Sequence, residues 1–324
     1  MALVSVIIPT TRRPELLKRA IASVLRQTLT DLEVIIVVDG PNPESITCLT
    51  EILDYRLRVI ENEIPLGAAE ARNVGAAVAR GTWLAFLDDD DEWAPNKIER
   101  QLAAAGSPNE SVIISCLAEI RTLNKKHIWP RRIYDNLSPL ADYLFDRKSI
   151  LKGETGLQTS CLMMPRVLFD TLRFTYAHDD WDLLLRAVRL RNARIVTVTE
   201  PLVIFHQSET RDSLSTSFPW RSSLEWIEAN QSYVSRRAYS GFCLTVVAPQ
   251  AAKAGNYSVF FMLLYLAFRN GLPRPIHIII YLYFWFRLRP FIGGVFRRVA
   301  SLVLTALQYH AKHQNDLIRT KTRS

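Results

Sequence analysis

The chain has 324 residues, 48% of them hydrophobic, enough to bury a sizeable core in one large domain or two modest ones. Its net charge of +8 is uneven: residues 241–324 carry eleven Lys or Arg against one acid, Asp316, while residues 1–240 hold 29 basic and 31 acidic side chains. Four cysteines (Cys48, Cys116, Cys161 and Cys243) lie far apart with no CxxC pair, which speaks against a disulfide framework or a zinc site and fits reduced thiols in a cytosolic setting.

The chain enters an apolar run at Leu3 to Ile8 without a basic stretch before it, so no signal peptide is expected. Val4 to Ile8 is a short β-branched run ending at Pro9 and reads as a buried strand. Pro14 stands where a helix should begin, and Leu16, Leu17, Ala20, Ile21, Val24 and Leu25 follow at helical spacing. Val34 to Val38 is a second buried strand that stops at Asp39-Gly40-Pro41, and Arg58 to Ile60 a weaker third. Residues 67–79 predict an alanine-rich helix with a small-residue face. Thr82 to Leu87 predicts a fourth strand, which runs into Asp88-Asp89-Asp90-Asp91. Short strands alternating with helices predict an α/β fold with a mostly parallel sheet flanked by helices. In such sheets ligands bind outside the carboxyl ends of the strands, where Thr10, Asp39 and Asp88 to Asp91 all fall.

From about residue 110 the pattern loosens. Ser111 to Ile120 reads as a strand, residues 121–160 as irregular, and Asp180 to Leu190 as a helix. Ile195 to Phe205 reads as one or two strands broken by Pro201. The apolar runs Tyr257 to Phe268 and Ile276 to Phe286 are each shorter than the ~20 residues that cross a bilayer. Arginines flank them and aromatic residues fill them. They are expected as a helical hairpin through Gly271 to Pro275, lying in a membrane's headgroup region or packed on the body of the protein.

The acidic run is the sharpest chemical signal. Four adjacent carboxylates repel one another unless a cation or solvent relieves them. Hard carboxylate oxygens suit Mg2+ or Mn2+, which bind through one or two carboxylates plus substrate phosphates. Side chains alternate along a strand, so Asp88 and Asp90 are expected to face one way. The same run also serves as a solvated turn capping the next helix. Asp39 is placed to accept a hydrogen bond from a base or ribose, or simply to form the turn before Gly40. Arg72 can face a phosphate, or pair with Glu70 on the surface. Asp179, Asp180 and Asp182 open a helix, where acids favour the helix dipole; one of Asp179 and Asp180 is also a candidate general base. His206 and Arg211 follow the last strand, in reach of a leaving diphosphate.

Taken in order, Val4 to Thr10, Val37-Val38-Asp39-Gly40, Ala71 to Gly75, Phe86 to Asp91 and Asp179 to Asp182 resemble the family 2 inverting glycosyltransferases of the GT-A fold, over roughly residues 3–215. The resemblance implies a nucleoside-diphosphate-sugar donor, often a UDP-sugar, and a saccharide or lipid-linked acceptor. It implies that residues 1–115 bind the nucleotide sugar and that 116–240 bind the acceptor and carry the base. The tail beyond about residue 240 is not part of the shared fold; its own basic and apolar composition leads to the expectation that residues 241–324 form a basic amphipathic helical tail on the inner face of the cell membrane. Pro9 and Thr10 would line the nucleotide pocket, Asp39 would meet the base, and Arg72 would help hold the nucleotide. Asp88 and Asp90 would form the family's DxD pair, on ribose and on metal-diphosphate. Asp180 would be the base and Arg211 a phosphate contact. Three positions depart from the family pattern: Val38 replaces a second acid, Asp179 replaces Glu, and His206-Gln207-Ser208 lacks a Tyr-Arg pair.

Two rival readings stand beside this one. A sugar nucleotidyltransferase shares the sheet and the metal carboxylates, but Thr10-Thr11-Arg12-Arg13-Pro14 lacks the glycine-rich loop it needs. A non-catalytic carbohydrate-binding or scaffold protein would keep the fold, and the retained Asp88, Asp90 and Asp180 argue against it. Nucleic acid is not expected as a partner, because the basic tail is interrupted by long apolar runs.

Overall fold

The computed structural model describes residues 3–150, 153–207 and 219–287. Strands β1 (Val4–Thr10) and β2 (Leu32–Val38) are buried along their whole length, as β-branched runs covered on both faces must be. Helix α1 (Pro14–Leu25) supplies one cover. Pro14 opens it, and Leu17, Ala20, Ile21 and Val24 share a core with Val4, Val6 and Ile8. Helix α2 (Pro43–Thr50) is too short for periodicity to mark it in the sequence, and is started by Asn42, whose Oδ1 accepts from Ser45 N at 3.1 Å. Strand β3 (Leu57–Glu61) follows, and then α3 (Ala68–Ala77), which lies on the other face of β1. A Cβ on Gly75 would stand 2.6 Å from Ile7 Cγ2, so the small-residue face brings this helix to closest approach on the sheet.

The remaining elements are β4 (Trp83–Phe86), β5 (Asp91–Trp93), α4 (Lys97–Ala105), β6 (Val112–Arg121), β7 (Lys126–Trp129), α5 (Leu140–Phe145), β8 (Met163–Pro165), α6 (Arg166–Phe169), α7 (Asp179–Arg191) and β9 (Arg194–His206). The sheet order is β3-β2-β1-β4-β8-β6-β9-β5, with β7 on β6. Strands β3, β2, β1 and β4 are parallel. Beyond β4 the sheet is mixed: β8 pairs antiparallel with β4 and β6, β9 runs parallel to β6, and β5 runs antiparallel to β9. Residues 121–160 are more regular than their sequence suggests, since β7 closes a hairpin with β6 and α5 follows. Pro201 does not break β9. The register on β6 shifts around Leu117, which pairs with Pro201, and a bulge is where a residue lacking N–H costs no ladder bond.

The chain divides into two compact units. The first comprises 3–144, 153–207 and 228–235 and contains the whole sheet. The second comprises 145–150, 219–227 and 236–287 and is helical. In it Arg236–Phe242 continues through a π-helical turn, Cys243–Val247, into Ala248–Lys253. Helices Phe260–Arg269 and Pro275–Arg287 then form the expected hairpin, with Pro275, expected in the connection, already opening the second helix. Phe260, Tyr281 and Trp285 pack ring on ring between them. No helix among the described residues is long and apolar enough to cross a membrane.

Candidate active site

The parallel half of the sheet determines where the polar residues collect. Pro9 lies beyond the last β1–β4 pair, Ile7 with Phe86, so its missing N–H takes nothing from that ladder. Thr10 ends β1 and does two things. Its carbonyl accepts from Asp39 N at 2.9 Å, and its Oγ1 donates to Asp89 Oδ2 at 2.7 Å. Asp39 sits one residue past β2. Its Oδ1 accepts from Leu66 N (2.8 Å) and Asn62 Nδ2 (3.0 Å), and its Oδ2 from Gly67 N (2.8 Å). The carboxylate thereby fixes the loop that leads into α3, a structural task additional to the turn at Gly40.

The acidic run is a turn rather than a strand end, because Asp91 N donates to Asp88 O at 3.1 Å. Strand alternation therefore does not orient Asp88 and Asp90. The turn nonetheless separates the four side chains. Asp89 and Asp91 are buried, and Asp88 and Asp90 are partly open. Asp91 Oδ2 accepts from Ser160 Oγ at 2.6 Å. Arg13, at the start of α1, places Nη1 3.3 Å from both Asp89 and Asp90, and Arg19 donates to the Asp90 carbonyl at 2.8 Å. Burial pushes the Asp89 carboxyl up to about 6, against the pull of Thr10 and Arg13.

Arg72 joins this turn to α7. It is buried on α3, not on the surface, and it does not pair with Glu70, which binds Asn73 Nδ2 at 2.9 Å instead. Its Nη2 lies 2.5 Å from Asp88 Oδ1 and its Nη1 2.5 Å from Asp179 Oδ2. Its Nε has no partner among the described residues. Burial opposes its charge, but Asp88 and Asp179 outweigh burial and hold the proton above the usual arginine value. Phe174 lies beneath the guanidinium at 5.3 Å, and Asn73 holds that residue by a two-way bond to its backbone, 3.0 Å and 2.9 Å.

The first turn of α7 starts from His178, whose left-handed backbone (φ 50°) turns the chain so that Asp179 and Asp180 enter together. Asp179 is taken by Arg72. Asp180 accepts from Trp181 N at 2.8 Å and has no ion pair among the described residues. Burial and then the charge of Asp179 push its carboxyl up to about 8, with Arg72 pulling the other way. Thus Asp39, Thr10 and Asp89 form one chain of contacts, and Asp88, Arg72 and Asp179 continue it to Asp180. Residues up to 141 positions apart, Asp39 and Asp180, meet at one rim.

His206, expected beside a leaving diphosphate, instead sits 2.7 Å from Glu92 Oε1. Arg211 lies outside the described residues. Arg13 and Phe174, which touch the site, and Ser160, which bonds to the acidic turn, are not singled out as site residues by the sequence. Among them Arg13 alone has a local signal, a cation directly after a strand end and before Pro14.

No cluster of three or more metal-ligating side chains occurs among the described residues. A diphosphate-bound divalent cation needs no such cage, since phosphates and waters complete its shell. The donor set fits such a cation. Asp88 and Asp90 are hard oxygen ligands and both are partly open, although Arg72 and Arg13 already pair with them and a cation would share these carboxylates with the guanidinium groups.

The Glycosyl transferase family 2 model matches residues 5–173, just over half of the chain. WfgD of Escherichia coli, a UDP-Glc:α-D-GlcNAc-diphosphoundecaprenol β-1,3-glucosyltransferase, is 28% identical over 193 residues, which is 59% of this chain and 71% of that protein. Among solved structures, S. aureus TarS 1–349 in complex with UDP-GlcNAc superposes with a TM-score of 0.53 at 16% identity, covering 88% of this chain and 91% of that one. The mannosyltransferase PcManGT from Pyrobaculum calidifontis, in complex with GDP-Man and Mn2+, gives 0.54 at 15% identity, covering 88% and 85%. These two likenesses are of fold. Together with the match over residues 5–173, they make this chain a member of glycosyl transferase family 2, a transferase enzyme built on the GT-A fold.

Proposed function

We propose that the enzyme moves a sugar from a nucleoside-diphosphate donor, a UDP-sugar, to a hydroxyl of a saccharide or lipid-linked acceptor, with inversion at the anomeric carbon. The observation that carries this reading is the Arg72 bridge from Asp88 to Asp179, with Asp180 left unpaired beside it. A cation that binds phosphate, an acidic turn that suits a metal and a carboxyl group without an ion pair and with raised proton affinity then share one rim. Mg2+ or Mn2+, held by Asp88 and Asp90, would supply charge neutralisation for the diphosphate.

Each residue has a defined task. The Pro9–Thr10 backbone and Asp39 line the nucleotide. Asp39 Oδ2 accepts one bond from its own chain and retains a lone pair for the N–H of a uracil. Asp180 takes the proton of the acceptor hydroxyl. The hydroxyl oxygen bonds to the anomeric carbon on one face while the carbon–oxygen bond to the β-phosphate breaks on the other. The electron pair of that bond departs with the nucleoside diphosphate, next to Arg72. A base whose proton affinity lies near neutrality is matched to this transfer. Asp180→Asn keeps the shape and removes the base. We expect it to abolish transfer while UDP binding, followed by calorimetry, stays within about threefold, as expected when ground-state contacts are kept. Retention of most of the turnover would sink the assignment.

We also propose that the enzyme works peripherally at the inner face of the membrane. On helix Phe260–Arg269, Phe261, Tyr265 and Phe268 recur at helical spacing and are 78%, 58% and 57% exposed. They belong to the segment with eleven basic residues and one acid, a composition suited to anionic lipid. The lipid-linked acceptor in the name of WfgD is consistent with such a location. Replacing the three aromatic residues by Ser should cut sedimentation with phosphatidylglycerol vesicles severalfold, because each buried aromatic contributes about 1.5–3 kcal/mol. An unchanged bound fraction refutes the surface.

A further inference from the structure

The acidic turn has one internal backbone bond, Asp91 N to Asp88 O. Two more bonds reach it from a single atom. Ser160 Oγ accepts from Asp88 N at 3.1 Å and donates to Asp91 Oδ2 at 2.6 Å. One hydroxyl thus uses its donor at one end of the turn and a lone pair at the other. Ser160 is fully buried on the short 3₁₀ turn Thr159–Cys161.

That turn is itself held from below. Trp93 Nε1 donates to Ser160 O at 2.9 Å, and Gln101 Nε2 of α4 donates to Cys161 O at 2.8 Å. Lys97, one helical turn before Gln101, is fully buried with its Nζ 3.7 Å from the centre of the Trp93 ring. The Nζ has no hydrogen-bond partner among the described residues, so the ring faces the ammonium directly. Helix α4 and strand β5 therefore fix the 3₁₀ turn, and the 3₁₀ turn fixes the acidic one.

We infer that Ser160 is a positioning residue for the donor site, holding the Asp88–Asp91 turn in the shape in which Asp88 and Asp90 take a divalent cation with the nucleotide diphosphate. This rests on the reading of that turn as the metal-diphosphate site. The chemistry of the clamp supports it. Arg13 and Arg72 also touch the turn, but they bring positive charge and compete with a cation for the same carboxylates. A hydroxyl satisfies the buried Asp91 oxygen and the Asp88 amide without adding charge, so the open carboxylates keep their attraction for a metal.

The test is Mn2+ uptake by the full chain in the presence of UDP, read from the loss of the free-Mn2+ electron paramagnetic resonance signal. Losing a hydrogen bond to a charged group costs about 1.5–3 kcal/mol, so Ser160→Ala should weaken Mn2+ binding roughly 10- to 100-fold. Turnover at saturating Mn2+ should stay close to the parent value, a split that a general loss of stability does not produce. Unchanged Mn2+ affinity in Ser160→Ala overturns the inference. If that variant does not fold, Ser160→Cys carries the test: its thiol fills the space but is a weak donor and acceptor. Weakened uptake supports the clamp, and parental uptake overturns it. If the parent protein itself takes up no Mn2+ with UDP, the metal reading of the turn fails, and the inference with it.

Discussion

Each unit contains an arginine paired with aspartate, and the two pairs teach different things. In the helical unit Arg274 meets Asp146 fork to fork, Nε to Oδ1 at 2.6 Å and Nη2 to Oδ2 at 2.8 Å, with His277 3.4 Å from Oδ1. One cation faces one carboxylate there, and the charges close. In the sheet unit Arg72 divides its two Nη atoms between carboxylates from different elements, with Asp180 adjacent and unpaired. Three carboxyl groups crowd one guanidinium there, two of them ion-paired to it and the third, Asp180, with its proton affinity raised to about 8, and the nearby turn adds Asp89 and Asp90 against Arg13. A closed pair holds a fold together. An excess of carboxylates around a buried arginine is costly unless a ligand or cation completes it, as expected of a site that works on a charged substrate.

The largest effect should follow from Arg72→Met. Removing the side chain that bridges the acidic turn and α7 leaves Asp88, Asp179 and Asp180 facing one another. We expect kcat/KM to fall by roughly 10²–10³-fold, the scale of losing one preorganised charge stabiliser. Stability should drop by about 3 kcal/mol or more, because breaking a buried pair leaves uncompensated charge. Added Mn2+ should recover part of the stability and none of the turnover. A variant with intact transfer would make Arg72 the equivalent of Arg274 and erase the contrast.

How much of this was legible in the chain depends on range. The strands β1, β2 and β4 announce themselves because a β-branched or apolar run buried on both faces has few alternatives. Strands β5 and β8 do not. They have three residues each, Asp91 to Trp93 and Met163 to Pro165, and exist because neighbouring strands accept them. The motifs Asp88 to Asp91 and Asp179-Asp180 were readable because the chemistry needs those residue types next to one another. Arg72 could be read as a surface residue, since its burial follows from the packing of Gly75 on Ile7, three residues along the helix. Ser160 has no local signal at all, for its role lies in bonds to residues 69 and 72 positions away.

The next effect is a dependence on pH that the helical pair does not share. The folded protein keeps the Asp180 proton up to about pH 8, whereas an unfolded chain releases it near its ordinary value of about 4. Between these limits the folded state binds more protons than the unfolded state. The contribution of Asp180 to stability therefore falls as pH rises through that window. Asp180→Asn removes the slope. The variant should match the parent below about pH 4 and exceed it above about pH 8, a stabilised but inactive enzyme. Urea midpoints measured from pH 4 to pH 9 decide this; parallel curves for the two proteins would count against a raised Asp180.

The smallest effect on catalysis belongs to Arg274→Met. The pair is closed, so its loss should lower stability by about 1.5–3 kcal/mol, the range for hydrogen bonds to a charged group, and leave kcat/KM within about twofold. The loss should itself depend on pH. His277 is fully buried, and burial lowers its proton affinity, with Asp146 raising it and Arg274 lowering it further. Without Arg274, His277 faces an uncompensated Asp146 and binds its proton more tightly in the folded state. That contribution is present below the ordinary histidine value of about 6.5 and fades as pH rises. Arg274→Met should therefore be less destabilised at pH 5 than at pH 8, the same direction in pH as Asp180 imposes on the parent but with no accompanying change in transfer. Measuring midpoints and turnover together at both pH values separates a charge that closes the fold from one that leaves it open for substrate.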